Sequence, residues 1–263
     1  MIPYFQPPPI SIGPLKFHLF SILVIVAILV ARWIIARRAR RFSLDRYAVT
    51  EVCVWMLIAG FVTAHVAKLA ARHLPEILAQ PSLLVKIGGI ASIPGLAGGL
   101  LGGLAWSRFR RLSAFDTLRF LDVIAYSLPF AWIFGRLGCF LAHDHRGAYT
   151  SSWIGVQFPE GTRYDLGLTE LLFLIPLAAV FYTLGRSSRP VGFFLVLYTM
   201  LYGLYRIWQD AFHIQPASFG QGRYGDTIGG SILCLVGLMG WAVMARYRRA
   251  ATVGAARPTT VGL

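Results

Sequence analysis

Long apolar runs separated by short polar clusters set the pattern of this chain. Seven runs reach or approach the roughly 20 residues that a helix needs to cross a bilayer. They cover 15–36, 48–71, 84–106, 121–142, 168–184, 191–212 and 227–245, the fifth being the shortest. Inside hydrocarbon every backbone N–H and C=O must be satisfied within its own segment, so such runs are helices. The pattern predicts an all-α, polytopic membrane protein: one seven-transmembrane-helix bundle, with residues 1–263 as a single integral-membrane domain. A longer polar segment, 143–167, separates the fourth and fifth runs and reads either as a loop that lies over one mouth of the bundle or as an amphipathic interfacial segment.

The polar clusters orient the bundle. Arg37, Arg38, Arg40, Arg41 and Arg46 follow the first run, and Arg108, Arg110, Arg111 and Arg119 follow the third. Arg186 and Arg189 follow the fifth, and Arg246, Arg248, Arg249 and Arg257 the seventh. The opposite loops hold only Arg72, Arg146, Arg163 and Arg223 in arginine. Basic residues gather on the cytoplasmic face, so the N-terminus is expected outside and the C-terminus in the cytoplasm. Composition agrees, with 56% apolar residues, 14% charged and a mean hydropathy of +0.62. A net charge of +14 would suit nucleic acid, but its placement at span ends accounts for it through topology and anionic lipid, and no nucleic-acid partner is expected. The first ten residues carry no Lys or Arg, so the first run is expected to stay as a helix rather than leave as a signal peptide. Cys53, Cys139 and Cys234 fall in three different runs and form no CxxC pair, which argues against a disulfide framework.

Two cations break the apolar pattern. Arg136 and Arg206 each stand six residues before the end of an outward-running span, about 9 Å below the same surface. A charge inside a membrane costs roughly 2.5–3.5 kcal/mol even on lenient scales, so its default reading is functional. The pair at matched depth points to a bound anion, most simply a phospholipid phosphate. Asp210 follows Arg206 by four residues on the same helical face, and a structural ion pair between them is the competing reading. Glu170 opens the fifth run near that same end. Lys68 and Lys86 read as snorkelling span ends. The third run carries Gly88, Gly89, Gly95, Gly98, Gly99, Gly102 and Gly103, a smooth surface for close helix packing, and Pro94, expected to kink it.

Chemistry concentrates in 135–147, Gly-Arg-Leu-Gly-Cys-Phe-Leu-Ala-His-Asp-His-Arg-Gly. It joins the buried cation Arg136 to a thiol, two imidazoles and a carboxylate. His143 or His145 could act as a general base near neutral pH, with Asp144 orienting an imidazole or taking a proton itself. Cys139 and His143 share a helical face, but no repeated ligand pair supports a metal. Cys139 reads either as a nucleophile beside His143 or as a small apolar side chain.

The same segment resembles the signature of bacterial prolipoprotein diacylglyceryl transferases, about G-R-x-G-N-F-x-x-G-E followed by a glycine. Three further segments resemble that family in the same order: "SIGPLKFHLF", "GGIASIPGLAGGLLG" and "GLYRIWQDAFHIQP". The resemblance assigns Arg136 and Arg206 to the family's two arginines, and Gly135, Gly138 and Gly147 to signature glycines. Asp144 stands at the signature glutamate, Asp210 at a second acid, and Glu170 at the glutamate of the following helix. The chain departs from the pattern at four places. Cys139 replaces the asparagine, His143 a glycine, Pro94-Gly95-Leu96 a His-Gly-Gly, and Phe20 a tyrosine.

The resemblance implies transfer of a diacylglyceryl group from phosphatidylglycerol to the thiol of a lipobox cysteine in a prolipoprotein signal peptide, releasing glycerol 1-phosphate. It places the protein in the bacterial cytoplasmic (inner) membrane. It implies a catalytic set of Arg136, Arg206, Asp144 and His143, with Gly135, Gly138, Gly147, Glu170 and Asp210 lining the substrate. No cofactor or metal is implied. Beside it stand a related enzyme with a different phospholipid or acceptor, and a non-catalytic lipid-binding or transport protein. A transporter would be expected to show internal repeats, and none is evident.

Overall fold

Leu19–Arg41 (α1) begins the helical part of the computed structural model, which describes residues 1–12, 15–82, 92–213 and 225–255. Arg46–Ala79 (α2), Ser92–Phe109 (α3), Ala114–Ala142 (α4), Leu166–Gly185 (α5), Phe193–Gln209 (α6) and Gly225–Ala255 (α7) follow. The protein is mostly helical. Among the described residues, five helices are long and apolar enough to cross a membrane: α1, α2, α4, α5 and α7. The expectation of seven such spans is therefore not met by length and apolarity alone. Glycine dilutes the apolarity of α3, and α6 has only 17 residues before a turn of 3-10 helix, Asp210–Phe212, takes over.

Other expectations shift at their edges. The first run was expected to be helical from residue 15, but Leu15–Phe17 (β3) pairs antiparallel with Ile10–Ile12 (β2), and α1 starts at Leu19. Among the described residues α3 begins at Ser92, so Pro94 lies in its first turn, where a missing N–H costs nothing and no interior break is needed. The expected start of that helix at 84, with Lys86, Gly88 and Gly89, lies outside the described residues. So do Arg223, Arg257 and 214–216, the end of the fourth segment that carries the family resemblance.

The helices pack in pairs, α2 with α3, α6 with α7, α1 with α4, and α4 with α5. Small residues permit two of these approaches. A Cβ on Gly102 would lie 2.8 Å from the Trp55 carbonyl of α2. One on Gly230 would lie 2.4 Å from the Gly203 carbonyl across the α6–α7 contact. In lipid, where burial of apolar surface gives no driving force between helices, such backbone approach supplies the packing.

The segment expected to be an irregular loop is mostly a sheet. Arg146–Tyr149 (β4), Val156–Phe158 (β5) and Gly161–Asp165 (β6) join Ile2–Pro3 (β1) in the order β1-β5-β6-β4. Each strand is too short to show a clear alternation in sequence. Val156, Phe158 and Leu168 form a small core, with Ile2, Tyr4 and Phe140 packed against it. The all-α expectation thus needs a small β cap on one end of the helices. At the far end Asp122 of α4 accepts the backbone N–H groups of Phe194 and Leu195 at 2.7 and 3.0 Å, capping α6. The Arg38 guanidinium lies 3.8 and 4.4 Å from the ring centres of Tyr126 and Phe194.

Candidate functional site

Asp165 closes the sheet and starts α5. Its Oδ1 accepts the Leu168 N–H at 3.1 Å, a helix N-cap, while its Oδ2 lies 2.8 Å from His143 Nδ1. One carboxylate therefore ties the start of α5 to the end of α4. Gln209 adds α6 to this corner by donating to Leu166 O at 3.0 Å and Thr169 Oγ1 at 3.1 Å. These links hold three helix ends together and place Glu170 between them.

Glu170 is the hub of the site, and only 1% of it is exposed. Its Oε1 lies 2.7 Å from Arg136 Nε and accepts from Tyr202 Oη at 2.6 Å and Trp132 Nε1 at 3.0 Å. Its Oε2 accepts from Arg206 Nη1 at 3.0 Å. Arg136 and Arg206, 6% and 8% exposed, thus share one carboxylate. Arg206 also donates to Asp226 at the start of α7, and Asp226 bonds His213 Nε2 at 2.9 Å. Among the described residues, Arg136 Nη2 and Arg206 Nε are buried and lack a hydrogen-bond partner. Buried donors in native folds are nearly always paired, so two unfilled guanidinium N–H positions around one carboxylate are a ready anion site. Arg136, Arg206, Glu170, Asp226, His213, His145 and Gln209 line a cavity of about 30 Å³, room for a water molecule.

The structure brings together Arg136, Arg206 and Glu170 from the residues singled out in the sequence. The ion pair between Arg206 and Asp210 gives way to one with Asp226, and Asp210 Oδ2 instead accepts from Thr227 Oγ1 at 2.5 Å. Gly138 faces α1, where an added Cβ would lie 3.1 Å from the Phe20 ring. Gly147 faces the 3-10 turn, where one would lie 2.6 Å from Phe212 O. Gly135 has open space beside it.

The two histidines part company. His143 is buried in the cap. Its second nitrogen lies 3.2 Å from Phe5 O, and Tyr4 stacks on its ring at 4.7 Å between centroids. Its backbone is left-handed, φ 50° and ψ 38°, at the C-cap of α4. A glycine takes that conformation without cost, which explains the glycine of the signature pattern; here ring contacts hold a histidine in it. Burial pushes the Asp165 carboxyl up, and the His143 hydrogen bond works against that shift. His145 lines the cavity instead. Its Nδ1 lies 2.5 Å from Asp144 Oδ1, and Cys139 Sγ is close to the same ring. Burial lowers the pKa of this ring, but bonds to Asp144 and Cys139 outweigh it and raise it to about 9. Arg136 Nη1 lies 3.8 Å from Cys139 Sγ, so the thiol faces a cation and a protonated imidazole.

A family profile described as prolipoprotein diacylglyceryl transferase matches residues 7–247. The chain belongs to the prolipoprotein diacylglyceryl transferase family. The phosphatidylglycerol–prolipoprotein diacylglyceryl transferase of Azotobacter vinelandii is 28% identical over 268 residues, covering 95% of this chain and 98% of the relative. That of Nitratidesulfovibrio vulgaris is 28% identical over 268 residues, with 97% and 98% coverage. That of Pseudomonas aeruginosa is 25% identical over 261 residues, with 94% and 96% coverage. This diacylglyceryl transferase family member is a multi-pass membrane protein of a transferase family.

Sequence reading missed Trp132, Tyr202, Gln209, His213, Asp165 and Asp226. Asp226 carried a signal, since it is an acid at the first turn of an apolar span. Tyr202 and Trp132 carried none, because one polar atom on an aromatic ring does not disturb an apolar run.

Proposed function

We propose that the protein transfers the diacylglyceryl group of phosphatidylglycerol to the lipobox cysteine thiol of prolipoprotein signal peptides. The observation that carries this reading is the Arg136–Glu170–Arg206 cluster, whose buried Nη2 and Nε donors have no partner among the described residues. The names of the relatives favour the same donor and acceptor. The lipid phosphate takes these donors and replaces the Asp226 carboxylate on Arg206, which widens the small cavity. Glu170 keeps both guanidinium groups in place, and their fixed charge stabilises the negative charge that grows on the departing phosphate. Arginine suits this role because it stays protonated at low dielectric and offers paired donors.

Asp144, beside the cavity, assists proton transfer, and His143 holds the cap over the site. Gly135 leaves room for the lipid, while Gly138 and Gly147 let α1 and Phe212 approach. Asp210 steadies the start of α7 through Thr227. The seven runs form one integral-membrane unit with α3 and α6 completing the bundle. Its N-terminus faces outward and its basic C-terminal end lies in the cytoplasm of a bacterial cell. The donor reaches the site from the outer leaflet of the inner membrane.

Purified protein incubated with phosphatidylglycerol and a lipobox peptide tests this reading by mass spectrometry. The expected product is a diacylglyceryl thioether on the peptide cysteine, reduced about 100-fold or more in Arg136→Ala. Unmodified peptide beside a working control enzyme, or equal product from Arg136→Ala, would overturn it and favour another acceptor or lipid binding.

A further inference from the structure

Cys139, Asp144 and His145 form a second chemical cluster beside the arginines, in which only Asp144 has so far been given a role. Potential ligand atoms of the three lie within 4.8 Å of one another. A cation is the obvious occupant for such a trio. The surroundings oppose it, since Arg136 Nη1 is 3.8 Å from the sulfur and Asp144 is already engaged with the ring. Positive surroundings suit an anion.

The geometry selects His145 over His143. Both nitrogens of His143 are occupied within the cap, by Asp165 and by Phe5 O. His145 lines the same cavity as Arg136 and Arg206, and its side chain is 37% exposed, so it is reachable. Asp144 accepts from Nδ1, which leaves Nε2 as the nitrogen that would serve the cavity. A carboxylate that fixes one ring nitrogen orients the imidazole and stabilises its charged form, so the other N–H is held toward its target.

We propose that His145, oriented by Asp144, is a catalytic residue of this transferase whose imidazolium stabilises the negative charge on the departing phosphate. The inference rests on the diacylglyceryl transfer proposed above. In the step, the acceptor thiol has lost its proton to solvent, and its sulfur forms a bond to the glyceryl carbon. The bond from that carbon to the phosphate oxygen breaks, and its electron pair goes to the oxygen. The N–H at Nε2 of the imidazolium donates a hydrogen bond to that oxygen as negative charge builds on it, and glycerol 1-phosphate leaves as the dianion. The raised pKa of His145 keeps it protonated at neutral pH, as the step requires.

The test compares wild type, His145→Ala, His145→Gln and Asp144→Asn in the phosphatidylglycerol and lipobox-peptide assay. Expected is a loss of about 100-fold in kcat for both His145 variants, with KM for the lipid within about threefold. Added imidazole should restore a measurable part of kcat to His145→Ala and none to Arg136→Ala, an effect that a structural role would not give. Undiminished kcat in His145→Ala, or a loss confined to KM with no rescue by imidazole, would overturn the role of His145 while wild-type thioether formation upheld the transferase. A wild type that forms no thioether would overturn the underlying reading and this inference with it.

Discussion

At the residue scale, one carboxylate decides whether two arginines can exist inside this fold. Glu170 faces Arg136 and Arg206 with its oxygens and is almost fully buried. Breaking a buried pair by removing one partner typically costs about 3–5 kcal/mol, because the remaining charge is left uncompensated. Glu170→Ala should therefore lower the thermal midpoint or prevent accumulation of folded protein, whereas Arg136→Ala, which leaves Arg206 on Glu170, should fold; thermal melting in detergent checks both. His145 supplies a pH signature. Its pKa of about 9 predicts an alkaline fall in turnover near that value. Asp144→Asn removes the main group that raises it, so the fall should move toward lower pH; a profile unchanged by that substitution would contradict the assignment. The same shift stabilises the fold below about pH 6.5, where the ring is charged in both folded and unfolded chains, and that contribution is lost as pH rises through about 9. Arg136 and Arg206 were legible in the sequence because a charge disrupts an apolar run. Their partners were less so: Glu170 and Asp226 sit near span starts, where acids are common, and which of Asp210 and Asp226 meets Arg206 depends on helix contacts far apart in sequence.

At the element scale, the cap and the helix pairs each rest on one local device. The cap is tied to α4 through His143, which joins Asp165, Phe5 O and Tyr4 in one ring environment. His143→Ala should loosen the first strand more than the helices. Hydrogen exchange should rise at Ile2, whose N–H is bonded to Gly155 O, and stay unchanged within α6. Uniform protection would show that the ring is dispensable. The α2–α3 contact rests on glycine. A Cβ on Gly98 would lie 2.3 Å from Thr63 Oγ1 and 2.8 Å from Ala59 O, so Gly98→Ala should cost about 1–3 kcal/mol by forcing the helices apart. Chemical unfolding in micelles measures that cost. The apolar runs announced most helices, but polar residues extend them past the runs, so α2 reaches Ala79, α4 starts at Ala114 and α7 reaches Ala255. The strands stayed hidden because three to five residues are too few for alternation to stand out, and the pairing of Ile2–Pro3 with β5 spans most of the chain.

For the whole molecule, the arrangement separates two ends by chemistry. One end gathers Arg136, Arg206, Glu170, Asp226 and His145 beneath a small sheet, and the other carries Arg38, Asp122 and the basic span ends. An aromatic core of Phe181, Phe194, Tyr198, Tyr202 and Tyr205 lies between them. Tyr202 bridges that core to the site through its bond to Glu170, so the ion cluster is held by apolar packing as well as by charge. The central claim is that the two arginines hold a lipid phosphate. Native mass spectrometry of the protein released from mixed micelles of phosphatidylglycerol and diacylglycerol measures it directly. We expect retained phosphatidylglycerol on wild type, at most weak retention on an Arg136→Gln/Arg206→Gln variant that remains folded, and no preference for diacylglycerol on either. Equal retention of the two lipids by wild type, or phosphatidylglycerol held equally well by the double variant, would contradict the account.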